Sequence, residues 1–281
     1  MLKIELFDET FDQNRTESYS LSIQACLNGF YFSVKDLVRD YFIVLVGMPL
    51  DTPLTENSEW YNATNELINK YPWIKNSFKK VSISFESPVF TVVPSPLFQT
   101  EKAKSLLELT NDVPPLYEVR YNSFEKFNAT IVFALPCTLV KALSDIHTNI
   151  QVISFTTPGL HQLAEKAGED RNIAYICLAD KFAAFNIAKN NTLVHSGSFP
   201  IVSTEETVYH ILNTFKHLEV NTQLSEVIIC GKNDEEEQLE SLLGRFVHKT
   251  QKDSPEGTHF SYLLSRQRSR FANLFNLSSC E

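Results

Sequence analysis

Tyr19-Ser20-Leu21-Ser22-Ile23-Gln24-Ala25 places an apolar side chain at every second position, which is the period of a β-strand. The pair Asn28-Gly29 follows, two residues that tolerate positive φ and so predict a tight hairpin turn, and Phe30-Tyr31-Phe32-Ser33-Val34 returns as a second strand. Tyr41-Phe42-Ile43-Val44-Leu45-Val46 is unbroken in apolarity and predicts a third strand buried on both faces. A helix to about Lys70, with Thr55 or Asn57 as its cap, comes next.

The same signals then recur. Ile173 to Leu178, a turn at Ala179-Asp180-Lys181, Phe182 to Ile187, a turn at Lys189-Asn190-Asn191 and Thr192 to Ser196 form a second three-strand meander. Ser203 or Thr204 then caps a helix whose first turn carries Glu205 and Glu206, acids that suit the positive end of the helix dipole. Val227 to Gly231 predicts a strand feeding a helix that opens at Asn233-Asp234-Glu235-Glu236-Glu237 and runs through Leu239, Leu242 and Leu243. In the first half the expected counterpart of that strand is Ala129 to Leu135, followed by a helix through Val140 and Leu143. A strand over Gln151 to Phe155 and a helix over Pro158 to Ala167 complete the unit, and such strand-helix crossovers predict parallel pairing.

Residues 72–122 fit neither copy. They hold strand-like Val81 to Phe85 and Phe90 to Val93, a helical stretch from Gln99 to Leu109 and a turn at Pro114-Pro115, and read as a subdomain inserted into the first half. The polar segment Gly168-Glu169-Asp170-Arg171-Asn172 suits a link between halves. The expected division is therefore 1–170 and 171–281, an α/β protein of two lobes.

Composition narrows the function. The 281 residues are 43% hydrophobic and 21% charged, the balance of a folded globular chain. The net charge of −9 opposes nucleic acid over most of the surface, so nucleic acid is not an expected partner. The longest apolar stretch, from Tyr41 to Leu50, is far short of the roughly 20 residues of a membrane helix. Acids stand where a signal peptide would be basic, in Met1 to Glu9, so a cytoplasmic location is expected. Cys26, Cys137, Cys177, Cys230 and Cys280 are widely spaced and read as reduced core residues. His147, His161, His195, His210, His217, His248 and His259 are scattered, with no carboxylate at ligand spacing, so no metal is expected. Walker, H-E-x-x-H, G-x-S-x-G and G-x-G-x-x-G motifs are absent.

Leu21 to Val34, Ile131 to Gly159, Ile173 to Ile187 and Val227 to Asn233, with the repeated order of elements, resemble the actin-like ATPase superfamily, whose fold is ribonuclease H-like, and an uncharacterised family of that fold known from Bacteroidetes. The resemblance implies two phosphate loops, one at the first hairpin of each half, each with an Asp and, two residues on, a Gly. The carboxylate would hold Mg²⁺ through water, and glycine would let backbone N–H groups approach the phosphates. Here Ile23-Gln24-Ala25-Cys26-Leu27-Asn28-Gly29 has no acid, Leu178-Ala179-Asp180-Lys181-Phe182 has Phe182 where glycine is implied, and Gly231-Lys232-Asn233 has one glycine of the implied pair.

ATP hydrolysis is therefore disfavoured, and no catalytic residue or cofactor is expected. The reading is a non-catalytic scaffold or binding module for a protein partner. Its alternative is a nucleotide sensor or weak ATPase using Asn28, Gly29, Asp180, Lys181, Gly231 and Lys232 in the cleft between lobes. A further alternative is an RNA-associated factor using Arg266, Arg268 and Arg270, set beside Phe271, Leu274 and Phe275. The same segment also reads as an amphipathic terminal helix packed on the body.

Overall fold

Alternation at a period of two, three times over, produces two meanders, and each becomes the antiparallel side of a larger sheet. The computed structural model describes residues 2–54, 57–231, 236–255 and 259–280. Thr55 and the helix-opening residues Asn233 to Glu235 lie outside them, as does Lys232. The strands are β1 Ile4–Phe7, β2 Tyr19–Cys26, β3 Gly29–Asp36, β4 Tyr41–Pro49, β5 Lys80–Phe85, β6 Phe90–Pro94, β7 Tyr117–Phe124, β8 Ala129–Pro136, β9 Ile150–Ser154, β10 Asn172–Leu178, β11 Phe182–Lys189, β12 Thr192–Pro200, β13 Ser225–Gly231, β14 Lys249–Lys252 and β15 His259–Phe260. The helices are α1 Asn57–Lys70, α2 Ala103–Glu108, α3 Cys137–Ser144, α4 Thr157–Lys166, α5 Thr204–His217, α6 Glu236–Leu243, α7 Tyr262–Ser265 and α8 Ala272–Asn276.

The first sheet runs β1-β4-β3-β2-β5-β9, with β15 alongside β4, and the second runs β12-β11-β10-β13-β14. Within them, β4-β3-β2-β5-β9 and β12-β11-β10-β13-β14 share order and direction: two antiparallel hairpin steps, then two parallel crossovers. A third sheet, β6-β8-β7, is antiparallel throughout.

This pairing changes the expected assignment of the first half. The parallel partner of β2 is Lys80–Phe85, not Ala129–Pro136, so β5 is the counterpart of β13 and β8 is the middle strand of the three-stranded sheet. Both segments are apolar and strand-like, and periodicity does not say which of two strands joins a given neighbour. The three-stranded sheet and α3 thus lie in the connection between β5 and β9, residues 86–149. The Gln99 to Leu109 helix is likewise shorter than expected, beginning only at Ala103 after two 3₁₀ turns.

Serines placed on the polar side of β2, β3 and β5 would face solvent in a half-covered sheet, yet Ser20, Ser22, Ser33, Ser82 and Ser84 are all buried. Tyr19, Leu21, Ile23, Phe30 and Phe32 pack with Trp60 and Leu67 of α1 and Leu139 and Leu143 of α3 on one face. The serine face is covered from the far end of the chain. Phe271, Leu274 and Phe275 join Tyr31, Phe42 and Leu45, and Lys80 Nζ donates to the carbonyl oxygens of Ser278 (3.2 Å) and Cys280 (2.6 Å). Residues 259–280, assigned from sequence to the second lobe, therefore pack on the first sheet, to which β15 also belongs.

The second sheet is covered on one face by α5 and α6, through Val208, Ile211, Phe215, Leu239 and Leu243, and on the other by α4. Gly159 in the first turn of α4 lies on the ring of Tyr175 in β10, and a Cβ there would sit 2.6 Å from two ring carbons. Alanine normally favours a helix over glycine by up to about 1 kcal/mol. Here the clash has to push α4 off the sheet, so Gly159→Ala is expected to lower the unfolding free energy by about 1–2 kcal/mol in urea titration.

Candidate functional site

The cleft forms where the two first hairpins meet. The β2–β3 turn is made by Leu27 and Asn28, because Cys26 pairs with Gly29 and Gly29, at φ 140°, is already the first residue of β3. The β10–β11 turn is Ala179-Asp180-Lys181, closed by Ala179 N–H donating to the Phe182 carbonyl at 2.9 Å. Asn28 Nδ2 donates to Asp180 Oδ2 at 2.7 Å across the lobes. Glu86, one residue past β5, joins them. Its carboxylate accepts from Gln24 Nε2 at 2.7 Å and from the Asp180 backbone N–H at 3.3 Å.

Beside this bridge is a cavity of about 340 Å³. Its walls are apolar: Leu27 and Pro53 from the first lobe, Pro88 from the segment after β5, and Phe182, Phe199 and Pro200 from the second lobe. Asn28, Glu86, Asp180 and Lys181 supply its polar groups. The cavity thus has two carboxylates against one ammonium. Of the residues expected in the cleft, Asn28, Asp180 and Lys181 line the cavity. Gly29 is held in the β3 ladder. Gly231 is buried at the end of β13, where its φ of +147° and the approach of Leu178 leave no room for a side chain.

Pro53, Glu86, Pro88, Ser198, Phe199 and Pro200 line the cavity outside the turns that sequence reading singled out. The signal available for Glu86 was an acid directly after an alternating strand, since ligand crevices in such sheets lie at the carboxyl ends of parallel strands. Assigning β5 to the insertion hid it.

A Mg-nucleotide does not fit these residues. No acid stands on β2 or in its turn to anchor Mg²⁺, and the amide of Gln24 is given to Glu86. The turns that would embrace phosphates are joined to each other at 2.7 Å. Phosphate oxygens would also face Glu86 and Asp180, and like charges about 4 Å apart cost about 4 kcal/mol at an effective dielectric near 20. Among the described residues no group of three or more His, Cys, Asp or Glu is placed to hold a metal ion. Of the C-terminal arginines, Arg268 donates from Nη2 to the Pro255 carbonyl and lies over the Phe260 ring, while Arg266 is exposed.

Three buried ionisable groups lie away from the cavity, in and around the second sheet. Under α8, Tyr175 OH donates to Asp253 Oδ2 at 2.7 Å and Asn276 Nδ2 donates to the same oxygen at 3.0 Å. Burial pushes the Asp253 carboxyl up, against those hydrogen bonds, and pushes the Tyr175 phenol well up, with the Asp253 charge adding to it. Glu236 opens α6, 8% exposed, with no partner for Oε1 among the described residues. Burial raises its carboxyl to about 7, opposed by Lys252 and Arg270 and reinforced by Glu240 and Glu237.

The order, pairing and cleft of the two large sheets define an actin-like ATPase fold, and solved structures agree. A Bacteroides thetaiotaomicron protein described as having an actin-like ATPase fold and unknown function superposes with a TM-score of 0.77 at 20% identity, over 97% of this chain and 100% of that one. The PilM–PilN type IV pilus biogenesis complex gives a TM-score of 0.64 at 12% identity, over 92% of this chain and 97% of that one. The chain belongs to the DUF3822 family, described as proteins of unknown function, whose model matches residues 8–250. No curated protein matches the chain in sequence. No described helix is long and apolar enough to cross a membrane.

Because the fold raises the Glu236 carboxyl above its unfolded value, its protonated form is favoured by folding. Its contribution is greatest below about pH 4.5 and is lost as pH rises through about 7. Glu236→Gln is expected to stabilise the protein by about 1–3 kcal/mol at pH 8 and to have little effect at pH 4.5, in urea unfolding at the two pH values.

Proposed function

We propose that this chain is a non-catalytic binding module of actin-like fold, and that the cavity between its lobes receives part of a protein partner. The observation that carries the reading is the Asn28–Asp180 bridge, which takes up the space between the hairpins and leaves an apolar cavity beside it. Apolar walls with a few fixed polar groups are the make-up of a site for a ligand with an apolar portion. Leu27, 40% exposed, and half-buried Phe199 present apolar surface in its lining. The described PilM–PilN structure is a complex with a partner, which supports a partner-binding use of this fold.

We further infer that the two halves arose by internal duplication, since β4-β3-β2-β5-β9 and β12-β11-β10-β13-β14 agree strand by strand. A reduced, cytoplasmic setting accords with five free cysteines, four of them buried. The alternative reading, a nucleotide sensor, rests on Lys181 at the cavity mouth.

Thermal unfolding with Mg-ATP, ADP and GTP separates the two. A nucleotide at 100 times its Kd stabilises by about 2.7 kcal/mol, and no shift is expected; a shift with any of them favours the sensor. A photo-crosslinking side chain at Leu27 is expected to capture a discrete partner in cells. The same group at Leu109, exposed on the three-stranded-sheet segment, is not, and equal capture at both positions counts against the cleft.

A further inference from the structure

The cleft carries its own anion. Glu86 stands at the carboxyl end of β5, 8% exposed, and its position is fixed because its N–H continues the parallel ladder by donating to the Ala25 carbonyl at 2.8 Å. One carboxylate oxygen takes the side-chain amide of Gln24, from the first sheet, and the other takes the backbone N–H of Asp180, from the turn of the second sheet. A turn N–H and an amide N–H converging from two lobes are the donors a free oxyanion would use. Asn28 supplies a further amide N–H, and it too is given to a carboxylate, that of Asp180.

We propose that Glu86 is a built-in oxyanion: its carboxylate fills an anion position between the two hairpins, ties the lobes together there, and sets the cleft against phosphate-bearing ligands. The cavity alongside is thereby restricted to ligands whose inserted part is neutral or cationic. This goes beyond the partner reading and does not rest on it. A carboxylate that fills an anion position can be removed and replaced from solution, and the test uses that property.

Glu86→Ala leaves the two donors facing an emptied position. Its thermal midpoint is expected to fall by roughly 5 °C, the scale of losing a charged hydrogen-bond acceptor in a chain of this size. Excess acetate or inorganic phosphate is expected to raise that midpoint relative to chloride at equal ionic strength, while the native protein does not respond. In ³¹P NMR, inorganic phosphate is expected to broaden with Glu86→Ala and not with the native chain.

Glu86→Gln keeps the position filled and is expected to fold and to respond to neither anion. If Glu86→Ala does not fold in chloride, refolding in acetate or phosphate should recover it, and failure in both overturns the proposal. The proposal is also overturned by an unchanged midpoint in Glu86→Ala, by equal responses to chloride and the oxyanions, or by phosphate broadening with the native chain or with Glu86→Gln. The Leu27 crosslink is read separately, so either idea can fail without the other.

Discussion

Each half of this protein covers the other's sheet. Helix α4 follows β9, the last strand of the first sheet, yet it packs on β10 and β11 of the second; α8 comes near the end of the second half, yet it packs on β2 and β3 of the first. The two helices also touch each other, so the layer between the lobes is built from one helix of each. Polar anchors fix the exchange. The α4 entry holds Thr156 against Asn186 of β11, and Asn273 of α8 donates to the Phe155 carbonyl just before α4. A sheet left with one bare face would expose its apolar residues, so neither lobe is complete without the other.

The cleft inherits its geometry from this exchange. With α4 and α8 holding the sheets, the first hairpins of the two lobes are brought to within one hydrogen bond of each other. The result is a pair of joined turns with an apolar cavity at their side. Nothing in that arrangement calls for a mobile closure: Asn28, Asp180, Gln24 and Glu86 hold one another in place, and the aromatic and proline walls are stiff side chains.

Much of this was legible in the residues. The two meanders and the lack of an acid between Ile23 and Gly29 follow from alternation and from residue identity alone, and Asn190 and Asn191 adopt the positive φ their turn requires, while the first hairpin turns one residue early, at Leu27-Asn28. Two things were not. The choice between Val81–Phe85 and Ile131–Leu135 as the fourth strand depends on which one lies beside β2, a property of the folded chain that no local pattern encodes. The burial of Ser20, Ser22 and Ser84 was hidden because a serine face reads as solvated until a distant segment is known to cover it. The first error also concealed Glu86, the acid that the cleft is organised around.

The serine face has a consequence for the order in which the molecule is assembled. Lys80 reaches across to carbonyl groups near residue 280, and Tyr31 and Phe42 wait for Phe271 and Phe275. Lys80 and Cys280 are 200 positions apart, so β2, β3 and β5 are made long before the segment that covers their serine face. The early strands are therefore the ones whose layer is completed last, and the aromatic side they present, Tyr31 and Phe42, is closed only when Phe271 and Phe275 arrive.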